Sequence, residues 1–202
     1  NAVTLADLGG WLCQTFFSTN VKNTIENCSS YGDITLGSGG ICGSNAGYYN
    51  TSSGIYKSFI IKDCYTTGNI GEYAGGICGM SAGNNGGNCN ITNCYSTGDI
   101  GLHAGGICGH EAGYKGTVNV TNCYSTSSIS DYAGGICGPY AGKDNGTCEI
   151  TNCYSTGLSI GSGAGGICGP YAGKEGTVNI SNCYSIGEIK GEAGGICGDM
   201  AG

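Results

Sequence analysis

A stretch of about thirty residues recurs along this chain, and every copy carries two cysteines at nearly fixed places. The first of each pair falls at Cys28, Cys64, Cys94, Cys123, Cys153 and Cys183, with spacings of 36, 30, 29, 30 and 30 residues. The second falls at Cys42, Cys78, Cys108, Cys137, Cys168 and Cys197, with spacings of 36, 30, 29, 31 and 29. A fixed period of this length marks a stacked architecture, in which each copy rests on the one before it.

Composition agrees with stacking rather than with an ordinary globule. Glycine makes up 43 of 202 residues, roughly three times the usual share, and charged residues are 10% where about 25% is typical. The glycines are phased with the repeat, and no Gly-X-Y tract or proline-rich linker accounts for them. Each copy therefore needs a tight turn or a close backbone approach. A net charge of −7 with seven Lys and Arg excludes a basic nucleic-acid footprint and disfavours anionic lipid. Membrane insertion is not expected, because no long apolar run is present. Fifteen cysteines suit an oxidising compartment, and the chain begins at Asn1, as a processed secreted protein or a fragment would. The expected location is extracellular or at the cell surface. Six sequons, at Asn27, Asn50, Asn90, Asn119, Asn145 and Asn179, permit N-glycosylation there. No metal or other cofactor is expected: no C-x-x-C occurs, and the two histidines, His103 and His110, belong to one copy.

The chain reads as one domain over residues 1–202, with an atypical N-terminal half-repeat at 1–27 and six repeats at 28–202, the last incomplete. In the first segment Gly9-Gly10-Trp11-Leu12-Cys13 imitates the Gly-Gly-Ile-Cys element, and Trp11, Phe16 and Phe17 are placed to close an open end. A six-residue excess around residues 48–54 predicts a protruding loop. Within a copy, Thr117-Val118-Asn119-Val120-Thr121 alternates as a half-buried strand does. Further short strands are expected at Tyr124-Ser125-Thr126 and Gly135-Ile136-Cys137. Cys89 and Cys148 replace Val118 and Val178 at an inward position, where a thiol serves as a small hydrophobe or, alternatively, joins a bond; the two lie two copies apart, too far to bridge each other. Such strands are too short to build a core alone, but stacking repeats each residue every ~4.8 Å. The fold class is all-β: a parallel β-solenoid, right-handed by the crossover rule, with about one coil per copy.

The run from Gly176 to Ser185, Gly-Thr-Val-Asn-Ile-Ser-Asn-Cys-Tyr-Ser, followed by Ala193-Gly194-Gly195-Ile196-Cys197-Gly198, resembles the GLUG-motif repeats. The resemblance extends from about Gly9 to Gly202. It implies a β-helical fold and a surface-attached or secreted protein of the adhesin or cell-wall type. One departure is that the family commonly has an aliphatic residue where Cys42, Cys78, Cys108, Cys137, Cys168 and Cys197 stand, which hints at a cross-linked variant.

The asparagine before each first cysteine (Asn27, Asn93, Asn122, Asn152 and Asn182, with Asp63 once) suits a left-handed corner and a stacked amide ladder. If Asn122 continues the strand, Cys123 faces outward; if it forms a corner, Cys123 turns inward. The tyrosines that follow, Tyr65, Tyr95, Tyr124, Tyr154 and Tyr184, form either a supporting ladder or a stripe for sugar rings or a neighbouring chain. Disulfides are expected within each copy, from Cys28 with Cys42 through Cys183 with Cys197, leaving Cys13 over. Pairing between adjacent coils stays open. Enzyme function is not expected, since Asp99, Glu111, Asp131, Asp144, Glu149, Glu175, Glu188 and Glu192 are scattered over different repeat phases. The leading expectation is a disulfide-stapled structural subunit of a surface fibre or adhesin stalk, with head-to-tail self-assembly. The alternative is a binding module that presents Thr92, Thr121, Thr151 and Ser181 to glycan or ice.

Overall fold

The structure is a computed structural model that describes residues 4–18, 22–49 and 58–202. Its strands fall into three parallel arrays. The first sheet runs β1 (Thr24–Glu26), β3 (Ser58–Lys62), β5 (Asn88–Thr92), β7 (Thr117–Thr121), β9 (Thr147–Thr151) and β12 (Thr177–Ser181). The second holds β2 (Ser29–Ser30), β4 (Tyr65–Thr66), β6 (Tyr95–Ser96), β8 (Tyr124–Ser125), β10 (Tyr154–Ser155) and β13 (Tyr184–Ser185). A short third array pairs β11 (Ser159–Ile160) with β14 (Glu188–Ile189), and single parallel bridges extend it back through Ile129, Ile100 and Ile70 to Ile34. Every pairing joins a residue to its counterpart one copy away, as Val118 lies between Cys89 and Cys148. Each copy is therefore one coil of a parallel β-solenoid.

Sequence alternation becomes burial alternation. Val118 and Val120 of β7 are fully buried, while Thr117, Asn119 and Thr121 stand half-exposed. Beyond the strand the chain turns sharply at Asn122, whose φ is 54°. Asparagine tolerates that left-handed geometry better than most residues. The turn resets the alternation, so Cys123 is buried and Tyr124 points outward, half-exposed. The corner side chains join into a ladder. Asn93 Nδ2 donates to Asp63 Oδ1 at 3.0 Å, Asn122 to Asn93 at 3.3 Å, and Asn152 to Asn122 at 3.2 Å.

The core is a set of columns. Ile77, Ile107, Ile136 and Ile167 stack beside Ile91, Val120 and Ile150, with alanines and cysteines between them. A second column holds Ile34, Ile70, Ile100, Ile129 and Ile160 with Ala74, Ala104, Ala133 and Ala164. Burying each such aliphatic side chain contributes about 1.5–3 kcal/mol, so the core grows coil by coil. Close coil-to-coil approach explains the phased glycines. A Cβ on Gly106 would lie 2.1 Å from the Gly135 carbonyl oxygen of the next coil. Small hydroxyls fill the remaining width, and Ser125 and Ser155 donate to the Gly135 and Gly166 carbonyls at 2.7 Å.

The N-terminal half-repeat joins the same ladder. Gly10 pairs with Gly39 and Cys13 with Cys42, both in parallel. Phe17 meets Phe59 edge-on at 5.6 Å at the end of the core, and Trp11 Nε1 donates to the Gly32 carbonyl at 3.1 Å. The first coil draws its strand β1 from residues ahead of Cys28. Most of the six-residue excess expected to protrude, including residues 50–54, lies outside the described residues.

Candidate functional site

The two cysteine sets become two columns. Cys13, Cys42, Cys78, Cys108, Cys137, Cys168 and Cys197 are in-register bridge partners along the solenoid. Cys28, Cys64, Cys94, Cys123, Cys153 and Cys183 stack beneath the asparagine corner, where the amides of Cys94, Cys123 and Cys153 each donate to the sulfur of the next coil at 3.4 Å. All fifteen cysteines are thiols in this structure. The sulfur contacts run along the columns, and none joins the two cysteines of one copy among the described residues. Cys89 and Cys148 stand outside the two columns. Cys148 Sγ lies 3.7 Å from Cys137 Sγ, and both residues are fully buried. Burial pushes the Cys42 and Cys123 thiols well above their ordinary range, so both stay protonated at neutral pH.

The sequons divide by geometry. Asn90, Asn119 and Asn179 stand on the outer face of the first sheet with their amides already engaged. Asn119 Nδ2 donates to Asn90 Oδ1 at 2.7 Å, Asn179 Nδ2 donates to Glu149 Oε1 at 2.8 Å, and Asn90 donates to Ser58. A glycan on any of them would displace a rung of this ladder. Asn27 and Asn145 differ: both are exposed at turns with positive φ, at 55° and 60°. Asn50 lies outside the described residues.

The tyrosines form a face-to-face ladder. Ring centroids along Tyr65, Tyr95, Tyr124, Tyr154 and Tyr184 are 4.8 to 5.1 Å apart, with planes within 5° of parallel. Each inner ring has both faces covered by other rings, which leaves edges and hydroxyls outward. Stacking on sugar requires a free face, so the ladder suits support of the solenoid better than sugar binding.

The polar face of the first sheet is the remaining candidate surface. Thr92, Thr121, Thr151 and Ser181 lie in register, and Thr151 and Ser181 share a hydroxyl hydrogen bond at 3.1 Å. Beside this face runs a shallow groove of about 510 Å3, lined by Ser58, Asn88, Lys115, Thr117, Asn145 and Thr147. On another edge lies an aromatic and basic column that the repeat pattern alone did not reveal. Tyr73 stacks on His103 at 5.1 Å and meets His110 edge-on at 5.2 Å, while Lys143 sits over Tyr140 at 4.9 Å and pairs with Glu111 at 3.3 Å. Its signal was available: Tyr73, His103 and Tyr132 each stand five residues before a column cysteine.

The acidic residues serve turns and neighbouring coils. Asp33 Oδ1 accepts the Asn69 amide at 3.0 Å, and Asp131 Oδ1 accepts the Ser162 amide at 2.8 Å. Among the described residues no group of three or more His, Cys, Asp or Glu is arranged to hold a metal ion, and no helix is long and apolar enough to cross a membrane. No family model matches the sequence, and no curated protein matches it. One solved structure, from Bacteroides ovatus and provisionally assigned as an immunoglobulin A1 protease, aligns over 90% of this chain and 68% of its own at 22% identity. The TM-score is 0.41, a likeness too distant to carry any argument about activity.

Proposed function

We propose that this chain is a structural repeat element of an extracellular fibre or stalk, whose work is length and rigidity. The observation that supports this most is the uniformity of the coils. The asparagine, tyrosine, cysteine and isoleucine columns each run through successive coils of the described residues. The GLUG-like repeat and the exposed turn sequons at Asn27 and Asn145 support a surface setting. In the last coil Ile186 and Ile189 are mostly exposed, and an apolar groove of about 520 Å3 is lined by Val178, Ile180, Ile196 and Cys197. A further coil laid there would bury that surface and pair the free strand edges. When another molecule of this chain supplies that coil, the contact is head-to-tail and open-ended. Electron microscopy of the purified chain tests this: rods that lengthen with concentration are expected, and dispersed short particles at high concentration would sink self-assembly.

A second reading is a binding module for glycan or ice, supported by the in-register Thr, Asn and Thr ranks and the groove beside them. Amide-to-amide hydrogen bonds within the ranks compete with any ligand. Thermal hysteresis and glycan-array measurements test this reading, and inactivity in both removes it.

A further inference from the structure

Two coils differ from their neighbours in a linked way. Where Val118 and Val178 fill the second strand position, the column cysteine lies ten residues upstream, at Cys108 and Cys168. Where Cys89 and Cys148 fill it, the column cysteine lies eleven residues upstream, at Cys78 and Cys137. The extra residue lengthens the intervening turn, which then carries two consecutive left-handed residues, Asn85 with Gly86 and Asp144 with Asn145. The valine coils have Lys115 or Glu175 alone at that place. The longer turn and the added cysteine therefore occur together, twice, two coils apart.

In both coils the added thiol faces the column thiol across the core. Cys137 and Cys148 have sulfurs 3.7 Å apart, and Cys89 stands to Cys78 as Cys148 does to Cys137, at the same strand position, the same spacing and the same full burial. Column neighbours are worse placed for a bond. In-register parallel strands hold equivalent Cβ atoms about 4.8 Å apart, whereas a cystine needs roughly 3.5–4.5 Å. Residues facing each other across the core are free of that constraint.

We propose that Cys137 with Cys148, and Cys78 with Cys89, are two disulfide-forming pairs that pin the longer turns, and that the remaining column cysteines stay thiols. The oxidant is a low-molecular-weight disulfide acting while the coils are still open. One thiolate of the pair attacks the small disulfide, forming a mixed disulfide and releasing one small thiol. The second thiolate then attacks the protein sulfur of the mixed disulfide and releases the other small thiol. Two thiol protons are lost, two electrons pass to the small disulfide, and one S–S bond forms. Once the coils stack, both members of each pair are fully buried and out of reach. Contact with the partner thiol and burial also raise Cys78 and Cys148, which keeps them protonated when reduced.

The test is to refold the full chain in a mixture of reduced and oxidised glutathione, alkylate in denaturant, and map the peptides. Trypsin cuts at Lys143, between Cys137 and Cys148, and cyanogen bromide cuts at Met80, between Cys78 and Cys89. The expected result is two linked peptide pairs with the other eleven cysteines alkylated. Full alkylation of Cys137 and Cys148, or linkage of either to Cys108 or Cys168, overturns the proposal. Cys148→Val, which installs the residue of the sibling coils, should fold and leave Cys137 alkylated. If Cys137 instead becomes linked to a column neighbour in equal yield, pairing was not set by the longer turn, and the proposal fails.

Discussion

The strands Thr117–Thr121 and Thr177–Ser181 are near copies in sequence, yet they sit in different environments. In the first, Val118 and Val120 are fully buried between two coils. In the second, Val178 and Ile180 are only half-buried, because the described structure places a coil on one side alone. The same contrast holds for Ile136, at 0% exposure, against Ile196 at 37%. Burial in this molecule is thus a property of the stack and not of the repeat. A residue's energetic weight follows from how many coils it touches.

Substitutions at equivalent positions can break or sharpen that contrast. The largest effect is expected at the glycine of closest approach. Gly106→Ala forces a Cβ to 2.1 Å from the Gly135 carbonyl oxygen, while the same change at Gly195 meets nothing closer than Ile189 at 3.5 Å. Gly106→Ala should lose more than about 4 kcal/mol or fail to fold, and Gly195→Ala should stay within about 0.5 kcal/mol, by urea unfolding followed with circular dichroism. Equal losses would show that the backbone spacing is not set by the next coil. Next in size is Ile136→Ala, expected to cost about 2–5 kcal/mol, with Ile196→Ala costing less than half as much. Amide exchange should place the Ile136→Ala loss in the coils on both sides. Smaller again is Tyr124→Ala, which removes a ring with stacked partners on both faces. Each stack is worth about 0.5–1.5 kcal/mol beyond area burial. Tyr184, with one stacked partner and half-exposed, should cost roughly half as much in the same unfolding measurement.

The period, the alternating strands and the glycine phasing were legible because each is a local pattern repeated in register. The asparagine corner was legible only as an alternative. Whether Asn122 takes a positive φ decides which way Cys123 points, and no neighbouring residue in the sequence settles that backbone choice. The cysteine contacts were less legible still. Residues fourteen or fifteen apart suggest a pair, but partners in a solenoid are set by the coil pitch and by which wall each residue sits on. Cys123 therefore meets Cys94 and Cys153, not Cys137. The engaged amides of Asn90 and Asn119 were hidden for the same reason, since their partners are copies of themselves one coil away.

The smallest expected effect contrasts one coil with all the others through pH. Only the third coil carries histidines in the aromatic edge, and His110 is largely buried against Tyr73 and Tyr140 with Glu111 and Lys143 nearby. Burial lowers its pKa below the usual 6.5, and the Glu111 carboxylate only partly offsets this. An unfolded chain then binds a proton at His110 more readily than the folded one. The His110 contribution to stability is therefore complete above about pH 6.5 and is lost as pH falls toward the lower folded-state value. His110→Met, which places the equivalent residue of the preceding coil, Met80, at this position, should flatten the urea midpoint between pH 7 and pH 5. The third coil should then respond to acid as its neighbours do. An unchanged slope would mean that the carboxylates elsewhere, rather than this one buried imidazole, set the acid sensitivity of the stack.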